Sequence, residues 1–400
     1  MIQLQDNSGQ FRSNIKKMYI FKFLVSLHFF SAVLMPFFLE WGKISYTKIM
    51  ILQSFFTISV FLLEVPTGAV ADYLGRKTSL IFAVIAAMAG AIVYTAYPSF
   101  YLFMAGEFLF ALSASLTSGA DQALVYDSLK KIKQEKKSKK VFGRFSSFEM
   151  IGMVTGAPIG SIIAATMGVR YPLLLITIPL TIALLISFTF KEPKTKKKIE
   201  SRRYIEYLFR GVKYFKRHRI LKILAFDRIS IAVLVFFVVW AYQLKLMQIK
   251  VPVVYFGLVH AIAITGIQIP FMNSFEKLEK IFGGKKKYLL WSAIISGIAF
   301  ILLGLSRTVW MVVILLMAIT GFGMTRFVLF QNYLNKHIKS ENRATVLSTI
   351  SMADRLMRAL LYPLIGLLVE WSLNYTLMIL GVLIIIFAFI SRVREEHLID

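Results

Sequence analysis

Residues 68–80 read Gly68-Ala69-Val70-Ala71-Asp72-Tyr73-Leu74-Gly75-Arg76-Lys77-Thr78-Ser79-Leu80. The stretch is polar at its centre and joins two long apolar runs, 47–72 and 79–98. Gly75 permits a tight turn, and Gly68 lets a helix approach a neighbour closely. Asp72 and Arg76 set one charge of each sign at the border between apolar and polar chain, where a pair can latch two helices. A membrane-spanning helix takes about 20 mainly apolar residues, and both flanking runs supply them. Moving outward, one further run precedes them, 19–40. Nine follow: 99–127, 144–168, 171–190, 223–244, 252–275, 288–306, 308–335, 344–370 and 372–391. The sequence therefore predicts an all-α membrane protein with twelve spans.

Composition supports that reading. Apolar residues (AVILMFWYC) make up 57% of the 400 and charged residues only 17%, against about 25% charged in soluble domains. One soluble core cannot hide such an excess. There is no cysteine, which excludes disulfides, thiol nucleophiles and zinc ribbons. The five histidines, at 28, 218, 260, 337 and 397, show no ligand spacing. No metal centre and no bound cofactor are expected.

The chain carries 47 Lys and Arg against 21 Asp and Glu, a net charge of +26. In a soluble protein this would point to nucleic acid. Here, 37 of the cations fall on the loops that share a side with the N-terminus and six on the opposite loops. The positive-inside rule then places both termini in the cytoplasm and the chain in the cell membrane. The cations face anionic lipid of the inner leaflet, and nucleic-acid binding is unnecessary. The charged N-terminal tail leads into a full span, so no cleavable signal peptide is expected.

The longest polar connection, 191–222, has six spans on each side. It divides the chain into an N-terminal bundle (1–190), a basic linker (191–222) and a C-terminal bundle (223–400). In the linker Tyr204, Ile205, Leu208, Phe209, Val212 and Phe215 recur at helical spacing among Arg and Lys. They predict an amphipathic helix on the membrane surface, with a solvated linker helix as the plain alternative. The third, sixth, ninth and twelfth spans carry no ionisable residue, whereas the others hold His28, Glu64, Glu107, Asp121, Glu149, Asp227, Arg228, His260, Arg326, Asp354, Arg355 and Arg358. Ionisable groups in a bilayer face a bundle interior or a watery cavity. Every third helix is thus expected to face lipid.

The 68–80 stretch resembles the signature loop of the major facilitator superfamily, G-x-x-x-D-R-x-G-R-K/R, with Tyr73 in place of the first basic residue. The second half repeats part of it: Gly284-Lys285-Lys286-Lys287-Tyr288-Leu289 copies the glycine, the two basic residues and the leucine of Gly75-Arg76-Lys77-Thr78-Ser79-Leu80, and Ile281 stands where Asp72 would be. The resemblance implies two pseudo-symmetric six-helix bundles and transport by alternating access. It implies that the first, fourth, seventh and tenth helices line the substrate path. It also implies that Arg76 engages an acid at the cytoplasmic end of the fourth helix, here Asp127, and that Asp72 faces the start of the eleventh. Gly68, Asp72, Gly75, Arg76, Lys77 and Asp127 would then form an inner gate. The plain alternative is that they only fix topology. In the fifth span Gly152, Gly156, Pro158 and Gly160 resemble the antiporter signature G-x-x-x-G-P-x-x-G-G, with Pro158 one residue late and Ser161 for the last glycine. This points to a drug-efflux branch, although small residues at this spacing also serve plain packing.

Asp121 is the best candidate for a proton or substrate site, with Glu107 toward the outside and Glu64 toward the inside. Their plain readings are a salt-bridge partner, a vestibule residue and a structural hydrogen-bonding acid. Arg326 needs an anion, which Asp121 or a substrate carboxylate or phosphate could supply. Asp354 and Arg358, four residues apart, can pair with each other, which leaves Arg355 free to point elsewhere. His28 and His260 can titrate or simply pack. No G-x-x-x-x-G-K-[ST] occurs, so an ion gradient rather than ATP is expected to drive transport, and the resemblance favours protons. The first reading is a monomeric, proton-coupled exporter of a small hydrophobic or amphipathic molecule. The alternative is a proton-coupled symporter of an anionic nutrient, resting on Arg326 and Arg355. An enzyme would need a nucleophile and base clustered on one surface, and the sequence offers none.

Overall fold

The computed structural model describes residues 2–193, 213–215, 217–339 and 342–399, and among these every regular element is helical. Of the amphipathic helix expected from Tyr204 to Phe215, residues 204–212 lie outside the described residues, as does the Glu341 that precedes the eleventh span; Phe215 is helical and packs against the core that holds Leu221 and Leu224. The helices are α1 (Ile2–Val25), α2 (Tyr46–Leu74), α3 (Arg76–Ala96), α4 (Phe100–Lys131), α5 (Ser138–Met167) and α6 (Tyr171–Phe188), then α7 (Arg219–Gln248), α8 (Val253–Asn273), α9 (Lys285–Leu305), α10 (Val309–His337), α11 (Arg343–Trp371) and α12 (Leu373–Ile390). Among the described residues ten of these are long and apolar enough to cross a bilayer unaided. The exceptions are α1, which stops at Val25, and α11, whose middle carries Asp354, Arg355 and Arg358. The chain divides into two compact units: Met1–Ile44 with Phe55–Tyr204, and Ser45–Ser54 with Ile205–Asp400.

The first span is not the continuous helix that its apolar run predicts. After Val25 the chain unwinds, and it becomes helical again only at Leu34–Pro36 and a π-helical turn, Phe37–Trp41. The reason lies in α5. A Cβ on Gly152 would meet the Phe23 carbonyl at 2.6 Å, and one on Gly156 would meet the His28 amide at 2.9 Å. One on Gly160 would collide with the Phe29 carbonyl. The glycine stripe of α5 therefore admits the bare backbone of residues 23–29, and irregular backbone at membrane depth is tolerated where protein covers it.

The two glycine-basic loops are built alike. Gly75 has φ +99° and Gly284 has φ +123°, a region that side-chain-bearing residues rarely adopt. Each glycine starts a helix whose first amides are capped by a distant glutamate. The amides of Arg76 and Lys77 donate to Glu192 (3.0 and 2.8 Å), and those of Lys285 and Lys286 donate to Glu395 (3.1 and 3.0 Å). A carboxylate at a helix N-terminus satisfies free amides and complements the helix dipole. Glu192 follows α6 and Glu395 follows α12, so the internal repeat extends beyond the motif residues.

The four helices that carry no Asp, Glu, Lys, Arg or His beyond their first turn each expose an apolar strip: Phe82, Ile85 and Ile92 on α3, Ile178, Ile182 and Leu185 on α6, Trp291, Ile298 and Leu302 on α9, and Val382, Ile386 and Phe389 on α12. Their opposite faces are packed; α3 buries Ala83, Ala87, Gly90, Ala91 and Tyr94. Such strips are what a helix against acyl chains presents.

Candidate functional site

In the first unit, α4 breaks at Ser118 and Gly119, where Gly119 takes φ +77°. The helix restarts at Ala120, which places Asp121 in a fresh first turn, where the helix dipole favours a carboxylate. Asp121 is buried and pairs with Lys22 of α1 (3.2 Å). The same ammonium pairs with Glu149 of α5 (3.2 Å) and lies 5.0 Å from the centre of the Phe145 ring. One cation thus serves two carboxylates, and the group carries a net negative charge. Lys22 stands at the start of the first span, among the cations of the N-terminal tail, and the sequence gives no sign that it reaches residues about a hundred positions away.

The other candidate acids of this unit differ in their surroundings. Glu107 is buried and accepts the Tyr94 hydroxyl (2.6 Å). Glu64 is half-buried on α2, beside Thr67, whose hydroxyl is spent on the Leu63 carbonyl (2.7 Å). At the Gly75 end, Arg76 forms an ion pair with Asp127 and donates to the Ala123 carbonyl (3.4 Å). Lys77 donates to the Phe188 carbonyl at the end of α6 (2.6 Å). Asp72 makes no ion pair among the described residues.

In the second unit, Arg326 does not reach for Asp121. It sits just past a π-helical stretch of α10, Ile319–Met324, and donates to Asp227 of α7 (2.6 Å), to Ser292 of α9 (2.7 Å) and to the Leu289 carbonyl. Both side chains of the ion pair are almost fully buried. The nearest available carboxylate lies within its own unit, so Arg326 is neutralised locally. Asp354 and Arg358 of α11 pair as their spacing predicts, and Arg355 lies half-buried beside them. His260 starts a second π-helical stretch, His260–Gly266, and shares a hydrogen bond with Tyr242 (2.9 Å).

Arg228 is the residue whose part in the site the sequence leaves unassigned. It is 2% exposed, yet Nε, Nη1 and Nη2 have no hydrogen-bond partner among the described residues. The Phe327 ring lies 4.2 Å from the guanidinium centre. The opposing charge that acts on it is that of Asp354, already paired with Arg358. Arg358 in turn lies over the Phe236 ring (4.2 Å). Two guanidinium groups thus face the field of one carboxylate, which is bonded to Arg358, and together the three carry a net positive charge.

A family model described as Major Facilitator Superfamily matches residues 19–275 and 248–398. The chain belongs to the major facilitator superfamily. Membership makes it a multi-pass membrane transporter rather than an enzyme. Solved structures share its fold at low sequence identity. The nucleoside transporter NupG superposes with a TM-score of 0.79 at 15% identity, covering 94% of this chain and 98% of that one. The POT family transporter PepTSo gives 0.73 at 12% identity, with 95% and 97% covered. A D-xylose-proton symporter gives 0.69 at 15% identity, with 95% and 97% covered. No curated protein matches the sequence.

Proposed function

We propose that this superfamily member is a proton-coupled exporter of a small amphipathic molecule, set in the cell membrane with both termini in the cytoplasm. The observation that carries the coupling is the Lys22–Asp121–Glu149 group. One ammonium cannot neutralise two carboxylates, and an uncompensated charge inside a membrane protein is costly. A proton taken by one acid balances the group, and its release restores the imbalance. A balanced and an unbalanced state are what an alternating-access cycle needs in order to bind a proton on one side and shed it on the other.

Export is favoured by the antiporter-like stretch of α5, whose glycines hold the unwound part of α1 one short step from Lys22. An apolar cavity of about 450 Å³ between α7, α11 and α12, lined by Phe226, Ile229, Val233, Ile350, Met357 and Leu361, suits the hydrophobic part of such a cargo. Termini in the cytoplasm follow from the placement of 37 of 47 cations. A second reading, proton-coupled import of an anionic nutrient, has its own observation in the uncompensated Arg228. The two separate in everted vesicles energised by a pH gradient and offered a panel of labelled compounds, with Asp121→Asn as control. An exporter accumulates its cargo inside such vesicles in exchange for protons; accumulation only in right-side-out vesicles would replace export by import.

A further inference from the structure

We infer that Arg228 and Arg358 form a subsite for an oxyanion, a carboxylate or phosphate carried by the transported molecule. The inference rests on the transporter reading but not on the direction of transport or on the coupling ion.

The argument starts from charge balance. On α7 and α11 one carboxylate, Asp354, stands against two guanidinium groups: it pairs with Arg358 and reaches Arg228 only through its field. Arg228 lies nine residues into α7, roughly 14 Å along the axis at 1.5 Å per residue, and Asp354 and Arg358 lie deeper still in α11. At that depth an unneutralised charge has neither bulk water nor lipid headgroups to rely on. The neighbouring Asp227–Arg326 pair shows the closed alternative, with the guanidinium bonded to a carboxylate, a hydroxyl and a carbonyl. Arg228, one residue from Asp227, has no such partner.

The donors that remain have the right form for an oxyanion. A guanidinium stacked on a ring keeps its N–H groups in the plane of the fork, and that fork matches carboxylate and phosphate bidentately. Phe327 lies against Arg228, and Phe236 against Arg358. The two rings supply apolar surface for the body of the ligand. Phe327 itself is 38% exposed, so this side of the guanidinium lies near an accessible surface. Asp354 then acts as an internal stand-in: it holds Arg358 in the absence of ligand and leaves Arg228 for the incoming anion.

The test is equilibrium binding to the purified full chain in phosphatidylcholine nanodiscs, without any pH gradient, read as a saturable rise in melting temperature. The probes are benzoate, phenyl phosphate and the neutral isostere benzamide. Benzoate or phenyl phosphate is expected to stabilise the protein, and benzamide is not; the stronger of the two assigns carboxylate or phosphate. Arg228→Met should weaken the response about thirtyfold or more, as expected for truncating a buried charged donor. Arg228→Lys, which keeps the charge and loses the fork, should weaken it about tenfold and covers the case in which Met does not fold. Asp354→Asn removes the competing carboxylate and should tighten binding. The assignment is overturned if benzamide acts like benzoate, if neither anion acts on the wild-type chain, or if the Arg228 variants bind as the wild type does. It also falls if adding phosphatidylglycerol to the nanodisc abolishes the response, because the site then belongs to a lipid headgroup. A negative result here leaves proton-driven transport untouched, and a failure of coupling leaves this result standing.

Discussion

The two units solve the same problem with opposite signs. In the first, one lysine is shared by two carboxylates, Asp121 and Glu149. In the second, one aspartate stands against two arginines: it is bonded to Arg358, and Arg228 is left without a hydrogen-bond partner. Beside the second group lies a pair whose charges balance, Asp227 with Arg326, the guanidinium bonded through both of its terminal nitrogens. The contrast separates structural charge from working charge. A buried pair that is complete has no reason to change, whereas a triad with one charge left over favours a partner that arrives and leaves. For the negative triad the smallest such partner is a proton; for the positive one it is an anion.

The sharpest way to break this comparison is Asp121→Asn. The substitution leaves Lys22 facing Glu149 alone, a balanced pair that no longer requires a proton. Proton-driven accumulation in proteoliposomes should fall to background, while exchange of cargo without a gradient persists. Accumulation at the wild-type level would remove the first unit from the coupling scheme.

Two arginines of the second unit sharpen it further. Arg326→Met strands Asp227 without its cation and should cost about 3–5 kcal/mol, the usual range for breaking a buried pair from one side. The double change Asp227→Leu with Arg326→Met should recover most of that loss. Arg228→Met removes a charge that has no complete partner, so in the absence of anion it should be neutral or stabilising. Melting temperatures of the purified variants decide the matter: equal losses at Arg228 and Arg326 would show that the two sites are alike after all.

Much of the architecture was legible in the sequence, because a bilayer imposes length and apolarity on every span. The glycine-basic loop and its echo were legible too, since Gly75 and Gly284 occupy backbone conformations that side chains resist. The break in the first span was not. Ser26-Leu27-His28-Phe29-Phe30-Ser31 contains neither proline nor glycine; its unwinding accompanies the glycines of α5, which stand some 130 residues further along the chain. Ion-pair partners were hidden for the same reason. The i, i+4 pair of Asp354 and Arg358 could be read from spacing, but Lys22 with Asp121 and Asp227 with Arg326 are set by packing between helices. For Arg326 the sequence offered Asp121 or a substrate anion and did not single out Asp227, because it gives charge inventories without addresses.

The two capped loops offer a smaller contrast, in which the units should behave alike. Glu192→Gln and Glu395→Gln each remove a charged cap from two amides and should cost about 1 kcal/mol each. Gly75→Ala and Gly284→Ala force a side chain into a positive-φ, extended-ψ conformation that is essentially confined to glycine and should cost about 1–3 kcal/mol each. Denaturation of purified variants checks whether the paired losses match. A loss confined to one loop would mean that the repeat is geometric but not energetic.

The smallest expected effect concerns the one respect in which the caps differ. After Glu395 the second unit continues into Glu396 and a buried His397, for which the first cap has no counterpart. The His397 Nδ1 accepts the Arg394 amide (3.2 Å), which requires an unprotonated nitrogen at that position. Burial holds its pKa below the ordinary imidazole value; Glu396 pulls the other way, and Arg394, His337 and Arg219 reinforce the lowering. The unfolded chain therefore takes up the proton first as pH falls, near about 6.5. The stability that neutral His397 contributes is present above that pH and is lost as pH falls below it toward the folded-state value. The wild-type melting temperature should drop more than that of His397→Gln between about pH 7.5 and pH 5.5. Glu192→Gln should leave that difference unchanged, because the sequence that follows Glu192, Pro193-Lys194, holds no histidine. If the wild type and His397→Gln fall in parallel, the acid sensitivity of this end of the molecule comes from elsewhere, and the two caps are equivalent in pH response as well as in geometry.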